Sequence, residues 1–257
     1  MNRIKHIFQT RSEKVIPFIT AGYPSKKDTV NLVLAAEESG AAMVELGMPF
    51  SDPLADGPVI QEASQIAINN GVNIAGIIAT VKEIRKSSQI PLALMGYINP
   101  LLKYGLEEFI QDCSAAGVDG LILPDLPPEE AEEYLTLCKS EDLCPILLVA
   151  PNTPGERIQE ISKAANVLIY CVSILGITGG KGAAQQELEN YLKRVEAYSS
   201  CPFVVGFGIK NRADVVRINQ MAHGAVIGSA IIEEMRKKKN SVAVMKSYIS
   251  KITKGNH

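Results

Sequence analysis

The stretch Val15–Thr20, VIPFIT in one-letter code, is a short and almost wholly apolar run. Similar runs recur along the chain, and each is followed by a longer amphipathic or polar stretch. Short continuous apolar runs indicate strands that are buried on both faces, as in a parallel sheet. The other runs are Met43–Gly47, Pro91–Met95, Gly120–Pro124, Pro145–Val149, Val167–Val172, Pro202–Gly206 and Ala225–Gly228.

The segments between these runs are predicted to be helices. Residues Asp28–Glu38 form an amphipathic stretch that stops at Gly40, and Pro127–Glu130 place prolines and acids in the first turn of another helix. Asn211 is predicted to cap a third helix. A strand followed by a helix, repeated along 257 residues, favours a single (β/α)8 barrel domain over residues 1–257, with a short N-terminal helix.

An open, doubly wound sheet is the alternative that the strand pattern leaves open. The first strand–helix junction, Thr20–Pro24, lacks the GxGxxG fingerprint that dinucleotide-binding sheets carry at this place. This absence weakens a dinucleotide-binding interpretation and leaves the barrel as the favoured fold.

Charge and composition narrow the possible partners. The chain has 26 basic and 28 acidic residues and a net charge of −2, so no basic face for nucleic acid or an anionic membrane is expected. The five cysteines form no CxxC pair and the three histidines are far apart, so reduced thiols and no metal site are expected. The N-terminus lacks the apolar core of a secretory signal. We expect a cytoplasmic protein, with a plastid stroma as the alternative.

Glu45 is the first candidate for chemistry because it lies inside an apolar strand. Burial raises a carboxyl pKa toward neutrality, where the group becomes a usable general acid–base. The loop Pro49–Pro58 follows this strand and carries Asp52 and Asp56 among three prolines, which restrict the backbone. A structural role for Glu45 and ordinary turn roles for the two aspartates are the competing interpretations.

Three later loops are rich in glycine or small residues and predict a phosphate site. They are Gly176–Gly180, Gly206–Gly208 and Gly228–Ala230, which follow the sixth, seventh and eighth runs. Glycines let backbone N–H groups approach an anion, and a helix that starts after Gly228 adds its dipole. In barrels of this class, phosphate is commonly bound by the loops after strands 7 and 8. An apolar wall is expected at the same end of the barrel, from Phe18, Leu94, Ile122, Tyr170 and Phe207.

The stretch Glu45–Pro58, ELGMPFSDPLADGP, closely resembles the signature of the tryptophan synthase alpha chain family. The resemblance continues in order along almost the whole chain. Its further segments are Pro17–Pro24, Met95–Pro100, Gly117–Gly120, Pro124–Pro127, Gly176–Gly179, Gly206–Ile209 and Gly228–Ile231.

The resemblance implies a reaction and a role for each site residue. The implied reaction is retro-aldol cleavage of indole-3-glycerol phosphate to indole and D-glyceraldehyde 3-phosphate. Glu45 would be the acid–base group, Asp56 would stabilise the charge that develops on the indole nitrogen, and Tyr170 would assist Glu45. The implied substrate-binding residues are Phe18, Leu94, Ile122 and Phe207 around indole, and Thr178, Gly179, Gly208, Gly228 and Ser229 around phosphate.

The resemblance also implies a partner. Alpha chains of this family bind a beta chain that consumes indole with a PLP cofactor, in an alpha2beta2 complex, whereas the alpha chain itself is expected to need no cofactor. The loops Pro49–Pro58 and Asn99–Pro100 resemble the segments that contact the beta chain. Closure of the loop Leu175–Glu187 is expected to shield the reaction.

Three other functions remain open at this point. A different phosphosugar barrel enzyme accounts for the phosphate loops but not for the pairing of Glu45 with Asp56. A stand-alone indole-3-glycerol phosphate lyase accounts for both. A barrel that only binds and activates a beta chain does not need a buried carboxyl group.

Overall fold

A computed structural model of the protein describes residues 2–172, 181–206 and 208–254. Strands and helices alternate along most of the chain. The strands are β1 (Val15–Thr20), β2 (Val44–Gly47), β3 (Leu92–Met95), β4 (Gly120–Ile122), β5 (Cys144–Val149), β6 (Ile169–Val172), β7 (Phe203–Gly206) and β8 (Ala225–Ile227). Each lies within, or within one residue of, an apolar run that predicted it.

One helix precedes the first strand, and helices follow every strand. They are α1 (Arg3–Ile7), α2 (Asp28–Glu38), α3 (Pro58–Asn69), α4 (Ile74–Arg85), α5 (Ile98–Tyr104), α6 (Leu106–Ala116), α7 (Glu132–Ser140), α8 (Gly155–Ala165), α9 (Lys181–Tyr198), α10 (Arg212–Met221), α11 (Ser229–Arg236) and α12 (Ser241–Lys254). Within the described ranges, no helix is long and apolar enough to cross a membrane.

The predicted local signals largely hold. The helix over Asp28–Glu38 is confirmed with its predicted bounds. Asn211 caps α10, because its side chain accepts a hydrogen bond from the Asp214 N–H at 3.1 Å. The proline-rich stretch differs in detail, since Pro128–Glu130 form a separate 3-10 turn before α7 begins at Glu132.

The eight strands close into a parallel barrel in chain order. Closure is made by β1, which pairs with β2 on one side and with β8 on the other. A doubly wound sheet has two free edges, so the pairing of the first strand with the last excludes that alternative. The predicted (β/α)8 barrel and its short N-terminal helix, α1, are both confirmed.

Alternation along each strand separates two apolar layers. One layer fills the barrel interior and includes Phe18, Ala93, Met95, Ile122 and Tyr170. The other lies between the strands and the surrounding helices and contains the neighbours of these residues in sequence, such as Leu92 and Leu94. Successive side chains of a strand point to opposite faces, so the two layers follow from a period of two.

This separation corrects the prediction for Leu94. Its side chain is fully buried in the layer under the helices rather than in the barrel interior. Ala93 and Met95 of the same strand face the interior instead. The physical reason is that both faces of a barrel strand are apolar, so hydrophobicity alone does not tell which residues point inward.

Candidate active site

Glu45 is the buried acid of the candidate site, next to the cavity residue Phe18 rather than on the cavity wall itself. It is the second residue of β2, is paired in register with Phe18 of β1 and Ala93 of β3, and is 1% exposed. Among the described residues its Oε2 atom has no hydrogen-bond partner. Burial raises the pKa of this carboxyl group from 4.5 to about 8. At pH 7 the side chain is therefore mostly protonated and can act as a proton donor.

Tyr170 of β6 lies close enough to Glu45 and Asp56 for the charges of both to affect its pKa. Its ring lies over the Cα of Gly206 on the neighbouring strand, where a Cβ atom would be 1.8 Å from the tyrosine oxygen. Burial raises the pKa of Tyr170 far above its usual value, and the nearby charges of Glu45 and Asp56 raise it further. The predicted trio of Glu45, Asp56 and Tyr170 is thus grouped at one end of the barrel.

Asp56 reaches the same mouth from the loop after β2. It lines a cavity together with Phe18, Tyr170 and residues of the last two strand–helix loops. Partial burial raises the pKa of Asp56 above its ordinary value, and a hydrogen bond from the Tyr97 hydroxyl offsets part of this increase. The two carboxyl groups therefore have different environments, and Asp56 has a donor that favours its ionised form.

Tyr97 is a site residue that the sequence reasoning missed. It is buried, follows β3, and its hydroxyl accepts a hydrogen bond from the Ala55 N–H at 3.0 Å. Its ring is tilted against Phe50 with centroids 5.4 Å apart. The next residue, Ile98, donates its N–H to the Asp125 carboxylate, at 3.0 and 3.1 Å from the two oxygens. Tyr97 and Asp125 therefore connect the loops after β2, β3 and β4.

Phe18 is placed by two glycines, one in β2 and one directly after β8. A Cβ atom on Gly47 would be 2.4 Å from the Phe18 ring, and one on Gly228 would be 3.3 Å from the Phe18 Cβ. The ring therefore lies across β2 at the level just above Glu45, where only a glycine leaves room for it. This position places a flat apolar surface beside the candidate acid.

The predicted phosphate end is partly described. Gly208, Gly228 and Ser229 line the same cavity as Asp56 and Tyr170. Gly208 has φ +78°, a backbone conformation that favours glycine, and Ser229 is the first residue of α11. The N–H groups at a helix N-terminus attract anions, so this end of the cavity suits a phosphate. Thr178, Gly179 and Phe207, and the adjoining loop before Lys181, lie outside the described residues.

One further predicted residue lies away from the cavity wall, and four residues that were not predicted complete the wall. Ile122 is fully buried in the interior layer with Phe18 and Tyr170, but it does not line the cavity. Ile60, Met95, Ile209 and Val226 do line it and were not predicted. Met95 and Val226 face inward by the two-residue alternation from Ala93 and Gly228, so strand register would have found them.

The fold and this mouth define a (β/α)8-barrel enzyme, because the titratable side chains gather where the active sites of such enzymes lie, at the carboxyl ends of the strands. The family model for the tryptophan synthase alpha chain matches residues 4–255. The chain belongs to the tryptophan synthase alpha chain family, and it is thereby a lyase-type enzyme of tryptophan biosynthesis.

Individual relatives agree with this assignment. The tryptophan synthase alpha chain of Petrotoga mobilis is 41% identical over 254 residues, covering 99% of this chain and 98% of that protein. The crystal structure of tryptophan synthase subunit alpha from Legionella pneumophila has a TM-score of 0.91 at 35% identity, covering 98% and 97%. A chain from the tryptophan synthase a2b2 complex of Pyrococcus furiosus has a TM-score of 0.86 at 35% identity, covering 93% and 97%.

Proposed function

We propose that this chain cleaves indole-3-glycerol phosphate to indole and D-glyceraldehyde 3-phosphate, with Glu45 as the acid–base group. The observation that carries the proposal is a buried carboxyl group that keeps its proton near neutral pH, beside the ring of Phe18 and within electrostatic range of Tyr170. Cleavage of the bond to indole C3 requires protonation of that carbon, and Glu45 is the described group best suited to supply the proton.

In the proposed reaction Glu45 alone donates and accepts the protons, and no other proton carrier is needed. Its proton goes to indole C3, which makes the ring a cationic imine with an N–H. The Glu45 carboxylate then accepts the proton of the hydroxyl on the carbon attached to C3. The carbon–carbon bond breaks, its electrons return to the ring, and the attached carbon becomes an aldehyde. Because the protonated ring accepts the electrons, the reaction needs no cofactor in this chain.

Asp56 has a separate role in this proposal. An ionised carboxylate next to the indole N–H stabilises the positive charge that appears on the ring. The hydrogen bond from Tyr97 supports the ionised form of Asp56, whereas the deeper burial of Glu45 supports its protonated form. Gly208, Gly228 and Ser229 would bind the phosphate, with Thr178 and Gly179 as further ligands, and Phe18, Ile122 and Phe207 would surround the indole. Tyr170 would orient Glu45.

The reaction is tested by following indole release from indole-3-glycerol phosphate. We expect wild type to release indole, and Glu45→Gln to lose about 10²–10⁴-fold in kcat. Asp56→Asn is expected to lose about 10²-fold, the size found for the loss of one charge-stabilising group. Asp52→Asn is the matched control, since Asp52 lies in the same loop but on its exposed side. Indole release by Glu45→Gln at the wild-type rate would refute the proposed role.

A beta chain is the proposed partner, in an alpha2beta2 complex in which PLP belongs to the beta chain. The Pyrococcus furiosus relative is part of an a2b2 complex, which supports the same assembly here. The Petrotoga mobilis relative is bacterial, which supports a cytoplasmic location. Two exposed large apolar side chains lie in or beside the segments predicted to contact the beta chain. Leu54 lies in the loop Pro49–Pro58 at 90% exposure, and Leu102 lies at 58% exposure in α5, the helix that the structure forms over the predicted loop Asn99–Pro100. Exposed apolar groups of this size commonly mark contact surfaces.

The partner surface is tested with the double variant Leu54→Ser, Leu102→Ser. We expect a beta chain to accelerate indole release by wild type, and we expect the double variant to need about tenfold more beta chain for the same acceleration. Tyr198→Ser is the control, because Tyr198 is also exposed but lies at the end of α9. Equal dependence on beta-chain concentration in all three proteins would show that the partner binds elsewhere.

A further inference from the structure

Thr20, the last residue of β1, carries a buried hydroxyl that has no role in the proposed mechanism. It is 2% exposed, and among the described residues its Oγ1 atom has no hydrogen-bond partner. Its backbone carbonyl has a partner, since it accepts the Tyr23 N–H at 3.1 Å. Leaving a buried hydroxyl without a partner is costly, so such groups in native proteins need an explanation.

The hydroxyl belongs to the barrel interior. Ile16 and Phe18 of β1 face the interior, whereas Ile19 and Ala21 face the helices, so Thr20 shares the face of Phe18 one step nearer the mouth. It is paired in register with Gly47, which has no side chain to fill the space opposite. The Phe18 ring occupies part of that space, as the close approach to Gly47 shows.

Glu45 is the diagonal neighbour of Thr20. The register pairs Phe18 with Glu45 and Thr20 with Gly47, so the Thr20 side chain lies one pleat above the Glu45 side chain on the same face. Both the Thr20 Oγ1 and the Glu45 Oε2 atoms are buried and without partners in the described part of the chain. Two such polar atoms on adjacent strands, facing the same interior, point to a common polar ligand.

The order of strands in the barrel identifies which part of the substrate meets Thr20. β1 lies between β8, which carries the phosphate end at Gly228 and Ser229, and β2, which carries Glu45. A substrate whose phosphate lies at β8 and whose reacting carbon lies at Glu45 has to cross β1 with the chain that joins them. In indole-3-glycerol phosphate, that chain carries two hydroxyl groups.

We propose that the Thr20 hydroxyl hydrogen-bonds a hydroxyl group of the substrate's glycerol chain and makes the site specific for a hydroxylated chain. This inference rests on the proposed function. It assigns to Thr20 a substrate-binding role, in which its hydroxyl both positions the chain over Glu45 and gains the partner that the protein itself does not supply.

The test compares two ligands that differ only in the chain hydroxyls. Indole-3-glycerol phosphate carries them, whereas 3-(indol-3-yl)propyl phosphate has the same indole, chain length and phosphate without them. Affinities are measured by calorimetry in the Glu45→Gln background, in which turnover is slow enough not to disturb the titration. We expect Thr20→Val to weaken binding of the hydroxylated ligand about tenfold and to change binding of the other ligand less than about twofold. Thr20→Ser keeps the hydroxyl and should retain the preference.

Thr29 supplies the matched control. It is also buried, but its hydroxyl accepts the Gly22 N–H at 2.9 Å. Thr29→Val should therefore lower the denaturant midpoint and leave the ratio of the two affinities unchanged, whereas Thr20→Val should leave the midpoint unchanged or raise it. Should Thr20→Val not fold, Thr20→Ala is measured in the same way.

The remaining outcomes overturn the inference. Equal weakening of both ligands by Thr20→Val would mean that Thr20 shapes the site without contacting a hydroxyl, and no weakening of either would mean that it is not a contact. In both cases indole release by the wild-type protein would leave the proposed function standing. If the wild-type protein with a beta chain releases no indole, the proposed function fails and the inference fails with it.

Discussion

Glu45 and Asp119 are both 1% exposed, yet the protein treats these two buried carboxyl groups in opposite ways. Asp119 lies just before β4, at the amino-terminal end of the barrel. Its oxygens accept hydrogen bonds from Arg85 at 2.9 Å, from Arg3 at 3.0 Å and from the Leu92 N–H at 2.9 Å. Glu45 lies within β2, and its Oε2 atom has no partner among the described residues.

The difference distinguishes a carboxylate with a structural role, Asp119, from a carboxyl group suited to proton transfer, Glu45. Burial of a carboxylate is costly, and at Asp119 two guanidinium groups and a backbone N–H offset that cost. At Glu45 no such compensation is described, and the group keeps its proton, with a pKa of about 8. A buried acid that is left uncompensated at the mouth of a barrel is a group held ready for proton transfer.

The largest expected effect on stability comes from removing the charge of Asp119. Asp119→Asn leaves Arg85 buried beside a neutral amide, and we expect the free energy of unfolding to fall by about 3–5 kcal/mol. Glu45→Gln removes no charge from the folded protein at pH 7, so we expect it to be at least as stable as wild type. Urea unfolding of both variants at pH 7 measures the contrast.

Asp142→Asn is the control for this contrast. Asp142 forms an ion pair with Lys5 at 2.7 Å, but both side chains are largely exposed, so its loss should cost less than about 1 kcal/mol. Its φ of +51° is one that asparagine tolerates, which keeps the substitution free of backbone strain. A large loss of stability in Glu45→Gln, or a small one in Asp119→Asn, would break the distinction between the two carboxyl groups.

The next effect concerns how stability depends on pH. Between pH about 4.5 and about 8 the unfolded chain releases the Glu45 proton, whereas the folded chain keeps it. Wild type should therefore lose stability relative to Glu45→Gln as the pH rises through this window, by about 3 kcal/mol between pH 5 and pH 8. Above the folded pKa the difference should stop growing.

Unfolding free energies of the two proteins at several pH values test this directly. All other titrating groups are shared, so their contributions cancel in the difference between wild type and Glu45→Gln. Parallel curves across the window would mean that Glu45 ionises normally in the folded state and is not the proton donor.

The sequence predicted the barrel because buried strands have a local signal. Runs such as Val15–Thr20 are apolar on both faces, and this property is independent of what each residue contacts. Glu45 stood out for the same reason, as a charge inside such a run. The prediction that Leu94 lines the indole slot was wrong, because a strand that is apolar on both faces does not reveal which face points inward. The register between Glu45 and Ala93 settles that question, and register is a property of the folded barrel.

The contacts that separate Asp119 from Glu45 could not be predicted either. Arg3 lies 116 residues and Arg85 lies 34 residues before Asp119, and only chain folding brings their guanidinium groups to its carboxylate. Tyr97 was missed for a related reason. Its sequence neighbourhood resembles a strand end, and its importance comes from a hydrogen bond to the Ala55 backbone, 42 residues away.

The smallest expected effect is that of Tyr97→Phe. This variant tests how a carboxyl group at the mouth of the barrel, that of Asp56, is kept ionised. Tyr97→Phe removes the hydroxyl that lowers the pKa of Asp56, while burial continues to raise that pKa. The acidic limb of the kcat/KM profile should therefore move to higher pH, and the limb set by Glu45, near pH 8, should stay in place. At the plateau the loss should be about tenfold or less, the size of one hydrogen bond. Tyr104→Phe, which removes a hydroxyl bonded to Asp112 on the neighbouring helix, should move neither limb. If Tyr97→Phe lowered the whole profile without shifting its acidic limb, Tyr97 would act on the position of the loop rather than on the charge of Asp56.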